Sequence, residues 1–235
     1  WMQPVIFGQQ AGSTILKDDG RYGAFSDSAF RRGFDFYLGL FEEGLAPPIS
    51  MTQMSNVYQE FERGEFAMYI TGPWNIGEFQ RRLPPEMQGR WATAPLPGPT
   101  GDSSGVSMAG GASLVMFRGT DHPDEAWKLI EFLSRPEAQR RFWELTGDLP
   151  ARIETWNDPA LIGDEHARAF WEQLQRVEPL PAVPEIELIV TKVFEAGERV
   201  VQGGVPIPEA LAALDAEVDR ILERPRWMLA RESPP

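Results

Sequence analysis

The chain of 235 residues has no cysteine and only two histidines. Without thiols there is neither a disulfide framework nor thiolate chemistry, and the redox compartment stays open, a periplasm being permitted but not required. His122 and His166 lie far apart, and no D-x-D-x-D-G run accompanies them, so no metal-ligating pattern is present. G-x-G-x-x-G and P-loop motifs are also missing, which leaves a nucleotide without an anchor; no cofactor is expected. Apolar runs stop well short of the roughly 18 residues that a membrane-crossing helix requires. No basic-then-apolar leader opens the chain, and the expectation is soluble material without a membrane span. Basic residues are scarce: 22 Lys and Arg against 35 Asp and Glu give a net charge of −13. That balance opposes a phosphate backbone or an anionic membrane surface as partner, and no nucleic acid is expected.

What is present is apolar and aromatic: 42% hydrophobic and 11% aromatic residues, enough for one large domain or two small ones. The chain opens on Trp1 rather than methionine and runs directly into Val5, Ile6 and Phe7, so it is expected to be a fragment of a longer protein.

The segment Phe61-Glu62-Arg63-Gly64-Glu65-Phe66-Ala67-Met68-Tyr69-Ile70-Thr71-Gly72-Pro73-Trp74-Asn75 reads as helix end, strand, turn and helix start. Gly64 supplies a left-handed stop to a helix opened near Ser55, and Phe66 to Ile70 suit a short buried strand. Gly72-Pro73 breaks that strand and leaves Trp74 at the mouth of the next helix, where backbone N–H groups lack partners. A core plug and a ligand wall are both open readings of that ring.

Elsewhere Ser26-Asp27 caps a helix whose Phe30, Phe34, Tyr37, Leu38 and Phe41 share a core face, stopped by Gly44 before Pro47-Pro48. The helix from Asn75 ends near Leu83, and Trp91 to Leu96 reads as a strand. Residues 95–105 form a Pro/Gly-rich loop with a domain boundary. Leu114 to Phe117 reads as a strand. Thr120 or Asp121 caps a helix with Ala126, Leu129, Ile130 and Leu133 inward, and Ser134 caps the next, which Gly147 ends. Helices over Gly163–Val177, Glu185–Gln202 and Ile207–Glu223 follow, and the tail from Arg224 reads as loose. Helices alternating with short strands indicate α/β layers.

Gly101-Asp102-Ser103-Ser104-Gly105 matches the G-x-S-x-G elbow of α/β-hydrolases. The context is wrong, since Pro97, Gly98 and Pro99 precede the serine and a strand rather than a helix follows. Glu42-Glu43 and Asp164-Glu165 sit on helix surfaces, and nothing selects a glycosidase pair. A carbohydrate- or ester-acting hydrolase, using Ser103 or an unidentified carboxylate pair, and a plain interaction module stand as the alternative readings.

The ordered series Phe25-Ser26-Asp27-Ser28-Ala29, Phe61-Glu62-Arg63-Gly64-Glu65-Phe66, Gly72-Pro73-Trp74, Ala94-Pro95-Leu96-Pro97, Gly110-Gly111, Ala126-Trp127, Phe132-Leu133, Glu137-Ala138-Gln139, Gly147-Asp148-Leu149-Pro150 and Pro208-Glu209-Ala210-Leu211 resembles the extracellular solute-binding proteins of ABC importers. The family is the sugar-binding one that includes maltose-binding protein. The resemblance implies a type II periplasmic binding protein fold, in which two α/β lobes close on a ligand. It implies a non-enzymatic subunit that binds a mono- or oligosaccharide in the interlobe cleft, delivers it to ABC permease subunits, and works in the periplasm or at the cell surface. Residues 1–103 and 151–235 would belong to the second lobe, and 104–150 would cross to the first. Trp74 would stack on a sugar ring, Gly110 and Gly111 would bring backbone close to the ligand, and Asp148 would accept hydroxyl hydrogen bonds. Trp1, Arg152 and Glu187 complete the implied site. Two departures stand out: the family's N-terminal part is missing, and Ile189, Val190 and Thr191 occupy a helix on which maltose-binding members carry aromatics.

Overall fold

A computed structural model describes residues 2–48, 56–101, 104–108 and 110–232, with side chains through Met228. Trp1 and Ser103 lie outside the described residues. The helices are α1 (Met2–Gln10), α2 (Ser28–Glu42), α3 (Val57–Arg63), α4 (Trp74–Arg82), α5 (Pro123–Leu133), α6 (Pro136–Thr146), α7 (Pro159–Gly163), α8 (Glu165–Leu174), α9 (Ile186–Val201), α10 (Ile207–Ile221) and α11 (Glu223–Glu232), with 3-10 turns at Pro85–Met87 and Ile153–Asn157. Short strands β1 (Leu16–Lys17) and β2 (Tyr22–Gly23) pair antiparallel, Leu16 opposite Gly23. Strands β3 (Ser107–Met108) and β4 (Val177–Glu178) pair parallel, Ser107 opposite Val177.

Two units emerge. One comprises Trp1–Met54, Leu96–Ala109 and Arg176–Pro235; the other comprises Ser55–Pro95 and Gly110–Gln175. The lobe boundaries expected from the sequence, after residues 103 and 150, concern the lobes of the whole protein.

The first unit is built around α2, whose four-residue spacing puts Phe30, Phe34 and Leu38 on one buried face. Its edge-to-face pair Phe25–Phe30, ring centroids 4.9 Å apart, continues that face. α1 crosses α2 backbone to backbone: a Cβ on Gly33 would stand 2.3 Å from the Phe7 carbonyl, so no side chain fits there. Ile189 and Val193 of α9 and Leu211, Leu214 and Val218 of α10 close the core. Acids of α10 then tie down the chain before α2. Asp215 accepts from the N–H groups of Phe25 and Ser26 at 2.8 and 2.9 Å, and Asp219 accepts from that of Gly23 at 2.9 Å.

In the second unit Asn56 caps α3, its side chain accepting from the Tyr58 and Gln59 N–H groups, and Gly64 closes the helix at φ 76°. Tyr58, Phe61, Phe66, Tyr69, Phe79 and Trp91 form a connected aromatic cluster. A second small core gathers Trp156, Leu161 and Ala167, with the Trp156 indole donating to the Pro150 carbonyl at 3.0 Å.

Several elements depart from the sequence expectations. The runs 66–70, 91–96 and 114–117 are not strands; none joins a sheet among the described residues, and a strand exists only through a ladder with its neighbour. Met68, Val115 and Phe117 are strongly exposed as a result. The inward face expected on α5 is open too: neither α5 nor α6 buries a residue. His122, not Thr120 or Asp121, occupies the N-cap of α5, while the Thr120 hydroxyl accepts from the His122 N–H. Ser134 ends α5 by donating to the Ile130 carbonyl, and Arg135 begins α6. The helix expected over 163–177 is α8, begun by Asp164, whose side chain accepts from the Ala167 N–H. The tail is helical as α11, because Arg226 donates to the Arg21 and Asp219 carbonyls and lies over the Tyr22 ring.

Candidate functional site

The chain leaves the aromatic cluster at Ile70 and turns through Thr71-Gly72-Pro73 into α4, whose first residue is Trp74. The indole folds back over Gly72. A Cβ at that glycine would meet ring carbons of Trp74 at 2.1 Å, so only glycine lets the ring dock there. Trp74 is nevertheless 47% exposed. Among the described residues it joins no aromatic pair, whereas six other rings of the same unit pair with one another. The ring is thus a held but half-open surface rather than a core plug.

Beneath it Asn75 is 7% exposed. Its Oδ1 accepts from the Tyr58 hydroxyl at 2.7 Å and its Nδ2 donates to Thr71 Oγ1 at 2.5 Å, which satisfies the buried amide at both ends. Burial, then the Glu78 carboxylate, raise the Tyr58 hydroxyl above its ordinary pKa, so it stays a proton donor at neutral pH. The guanidinium of Arg82 lies 5.0 Å from the Tyr58 ring centroid.

One turn further along α4, the backbone of Gly77 meets the end of α6. A Cβ on Gly77 would stand 2.3 Å from the Thr146 carbonyl oxygen, and one on Gly147 would stand 2.7 Å from the Gly77 nitrogen. Gly147 ends α6 at φ 84°. This contact sets the Asp148 turn beside the start of α4. The Asp148 N–H donates to Thr146 Oγ1 at 3.0 Å. No other described residue bonds its carboxylate, which leaves oxygens of a hard acceptor next to the Trp74 helix.

The G-x-S-x-G segment has no elbow geometry around it. Pro97 bridges Ser104 antiparallel, the Gly105 N–H donates to the Leu96 carbonyl at 2.7 Å, and strand β3 follows where an elbow needs a helix. His122 starts α5, and His166 packs its ring on Trp91 at 3.9 Å between centroids. No group of three or more His, Asp or Glu among the described residues is arranged to hold a metal ion. No helix among them is long and apolar enough to cross a membrane.

Residues 6–169 match the family model of the bacterial extracellular solute-binding proteins. The chain belongs to that family. It is 46% identical to the sugar-binding protein MalE from the phytopathogen Xanthomonas citri, with a TM-score of 0.91 over 99% of this chain and 58% of that one. A galactooligosaccharide-binding protein of Bacillus subtilis is 28% identical over 209 residues, 88% of this chain and 48% of the relative. A putative binding protein of Brucella abortus is 25% identical over 215 residues, 91% of this chain and 51% of the relative. The chain therefore spans about half the length of the curated relatives it matches. The fold is that of MalE-type periplasmic binding proteins, an α/β type II architecture present here in part. The family is one of solute-binding proteins, not of enzymes.

Within this chain Trp74 and Asp148 lie on adjoining elements of one unit. Gly110 and Gly111 are exposed in the same unit, Gly111 at φ 149°, with nothing within 4 Å of a built Cβ at either. Arg152 is tied into the fold, its Nε donating to the Ser134 carbonyl at 2.7 Å and its N–H to Gln139 Oε1 at 2.9 Å. Glu187 is exposed in the first turn of α9, in the other unit. Sequence reasoning missed Thr71, Gly72 and Asn75 as supports of Trp74. Their signal was a short polar side chain in the first turn of a helix, a place where Asn bonds back to nearby groups.

Proposed function

We propose that the protein containing this chain is the substrate-binding subunit of an ABC importer and binds a mono- or oligosaccharide in the cleft between its two lobes. The half-open Trp74 ring, docked on Gly72 at the start of α4, carries the reading. A flat indole suits the apolar face of a pyranose, whose hydroxyls then need hydrogen-bonding partners at the edges. The neighbouring Asp148 carboxylate accepts such hydroxyls, and the exposed Gly110-Gly111 backbone offers groups that no Cβ shields. Arg152, Glu187 and Trp1 complete the proposed set, with Arg152 acting through its hold on the turn after α6. Names of relatives support the ligand class: the Xanthomonas citri protein is a sugar-binding protein and the Bacillus subtilis one binds galactooligosaccharide. Residues 104–150 are proposed to cross to the first lobe, a placement supported by the failure of α5 and α6 to bury any residue in their own unit. The protein would act in the periplasm or at the cell surface and hand its ligand to the permease subunits.

Titration of the complete protein that contains this chain with mono- and disaccharides should change its tryptophan fluorescence. Trp74→Ala should weaken binding about tenfold or more, roughly 1.4 kcal/mol. A Trp74→Ala variant with unaltered affinity would overturn the assignment of that ring.

A further inference from the structure

We propose that Thr71, Gly72 and Asn75 are positioning residues that hold the Trp74 indole in one orientation before any ligand arrives. The inference rests on the reading of Trp74 as a binding surface and adds how that surface is kept ready.

An exposed tryptophan normally turns about two side-chain torsions, and a ligand that stacks on it must stop that motion at an entropic cost. Here the six-membered edge of the indole lies against Gly72, where three ring carbons stand 2.1 to 2.6 Å from the place a Cβ would take. The platform for the ring is therefore backbone, which cannot rotate away. That backbone is itself fixed at both ends. Thr71 precedes the turn and Asn75 follows it, and the hydrogen bond from Asn75 Nδ2 to Thr71 Oγ1 closes the loop at 2.5 Å. The Asn75 N–H adds a second closure onto the Gly72 carbonyl at 3.1 Å. The other end of the amide is anchored by the Tyr58 hydroxyl on α3, whose ring packs edge-on against Phe79 at 5.4 Å. Aromatic cluster, amide, turn and indole thus form a single chain of contacts, in which the indole is the most exposed member.

Three variants of the complete protein that contains this chain test this, Thr71→Val, Thr71→Ser and Gly72→Ala, with Trp74→Phe as the spectroscopic reference. The near-ultraviolet circular dichroism of Trp74 is read as the difference from Trp74→Phe, its accessibility by iodide quenching, and sugar affinity with maltose and lactose as probes. Thr71→Val and Gly72→Ala should abolish the Trp74 band, raise its quenching and weaken sugar binding by about threefold to tenfold, with unchanged far-ultraviolet spectra. Thr71→Ser keeps the hydroxyl and should retain band and affinity, a rescue that a general packing role for Thr71 would not produce. Should Gly72→Ala fail to fold, the Thr71 pair alone decides. A Trp74 band that survives Thr71→Val overturns the proposal whatever the affinities. Should Trp74→Ala bind both sugars as the parent does, the binding reading falls, and positioning is then judged by the Trp74 band and quenching alone.

Discussion

The two units of this chain use the same kind of amphipathic helix to opposite effect. In the first, α2, α9 and α10 bring Phe30, Phe34, Leu38, Ile189, Val193, Leu211 and Leu214 into one core from which solvent is excluded. In the second, α5 and α6 carry an equally clear apolar periodicity, yet Trp127, Leu129, Phe132, Phe142 and Leu145 remain exposed. Periodicity gives a helix a face; burial needs a second surface to receive it. Trp74 and Asp148 sit in the unit where packing is local, and Trp74 is held by an aromatic cluster, a buried amide and glycine contacts rather than by a large core.

The sharpest way to break this comparison is to truncate one phenylalanine in each unit. Phe34→Ala should cost about 3–5 kcal/mol in urea unfolding, while Phe142→Ala on the open face of α6 should stay within about 0.5 kcal/mol. Equal losses would show that the α6 face is covered in solution. A smaller loss should follow from Asp215→Ala, which leaves the N–H groups of Phe25 and Ser26 without their acceptor. About 1–3 kcal/mol is expected there, measured by the same unfolding curves, and no change would mean that water replaces the carboxylate without cost.

The smallest effect concerns pH. Side-chain hydrogen bonds from Arg81 and then Arg82 hold the Glu78 carboxyl below its ordinary pKa. A depressed folded-state pKa contributes stability that is present above the unfolded carboxylate value and is lost as pH falls through the folded one. The parent should therefore lose slightly more stability than Glu78→Gln on acidification below the usual carboxylate range, in thermal melts at low salt. Solvent screening keeps the difference small, and parallel pH profiles would remove any role for the pair.

Local signals were read well from sequence where a single residue type decides the geometry. Gly64 and Gly147 stop α3 and α6 in the left-handed region, and the helix over 185–202 appears as α9 with Glu185 and Gln202 as its caps. The core stripe of α2 was equally legible, because one face of a 3.6-residue period admits no other reading once it is buried. What failed was every expected strand, and none of β1 to β4 was among those expected. The runs 66–70, 91–96 and 114–117 have β-like composition, but a strand is a relation between two segments, and composition describes only one. The helix α11 was missed for a similar reason, since Arg226 holds it through residues some two hundred positions away.

By itself the sequence determined most of the longer helices, the glycine stops at Gly64 and Gly147, the family resemblance, and the position of Trp74 at the opening of a helix. Those features depend on neighbouring residues, whose backbone preferences and side-chain bonds act over a few positions. Only the tertiary structure decided whether the ring was core or surface. The answer came from Gly72 beneath the indole, from Asn75 linking Thr71 to Tyr58, and from the approach of Gly77 to Thr146 and Gly147. Each of these depends on close packing, in which the absence of one methyl group admits a neighbour, and that fit is set by how distant segments meet.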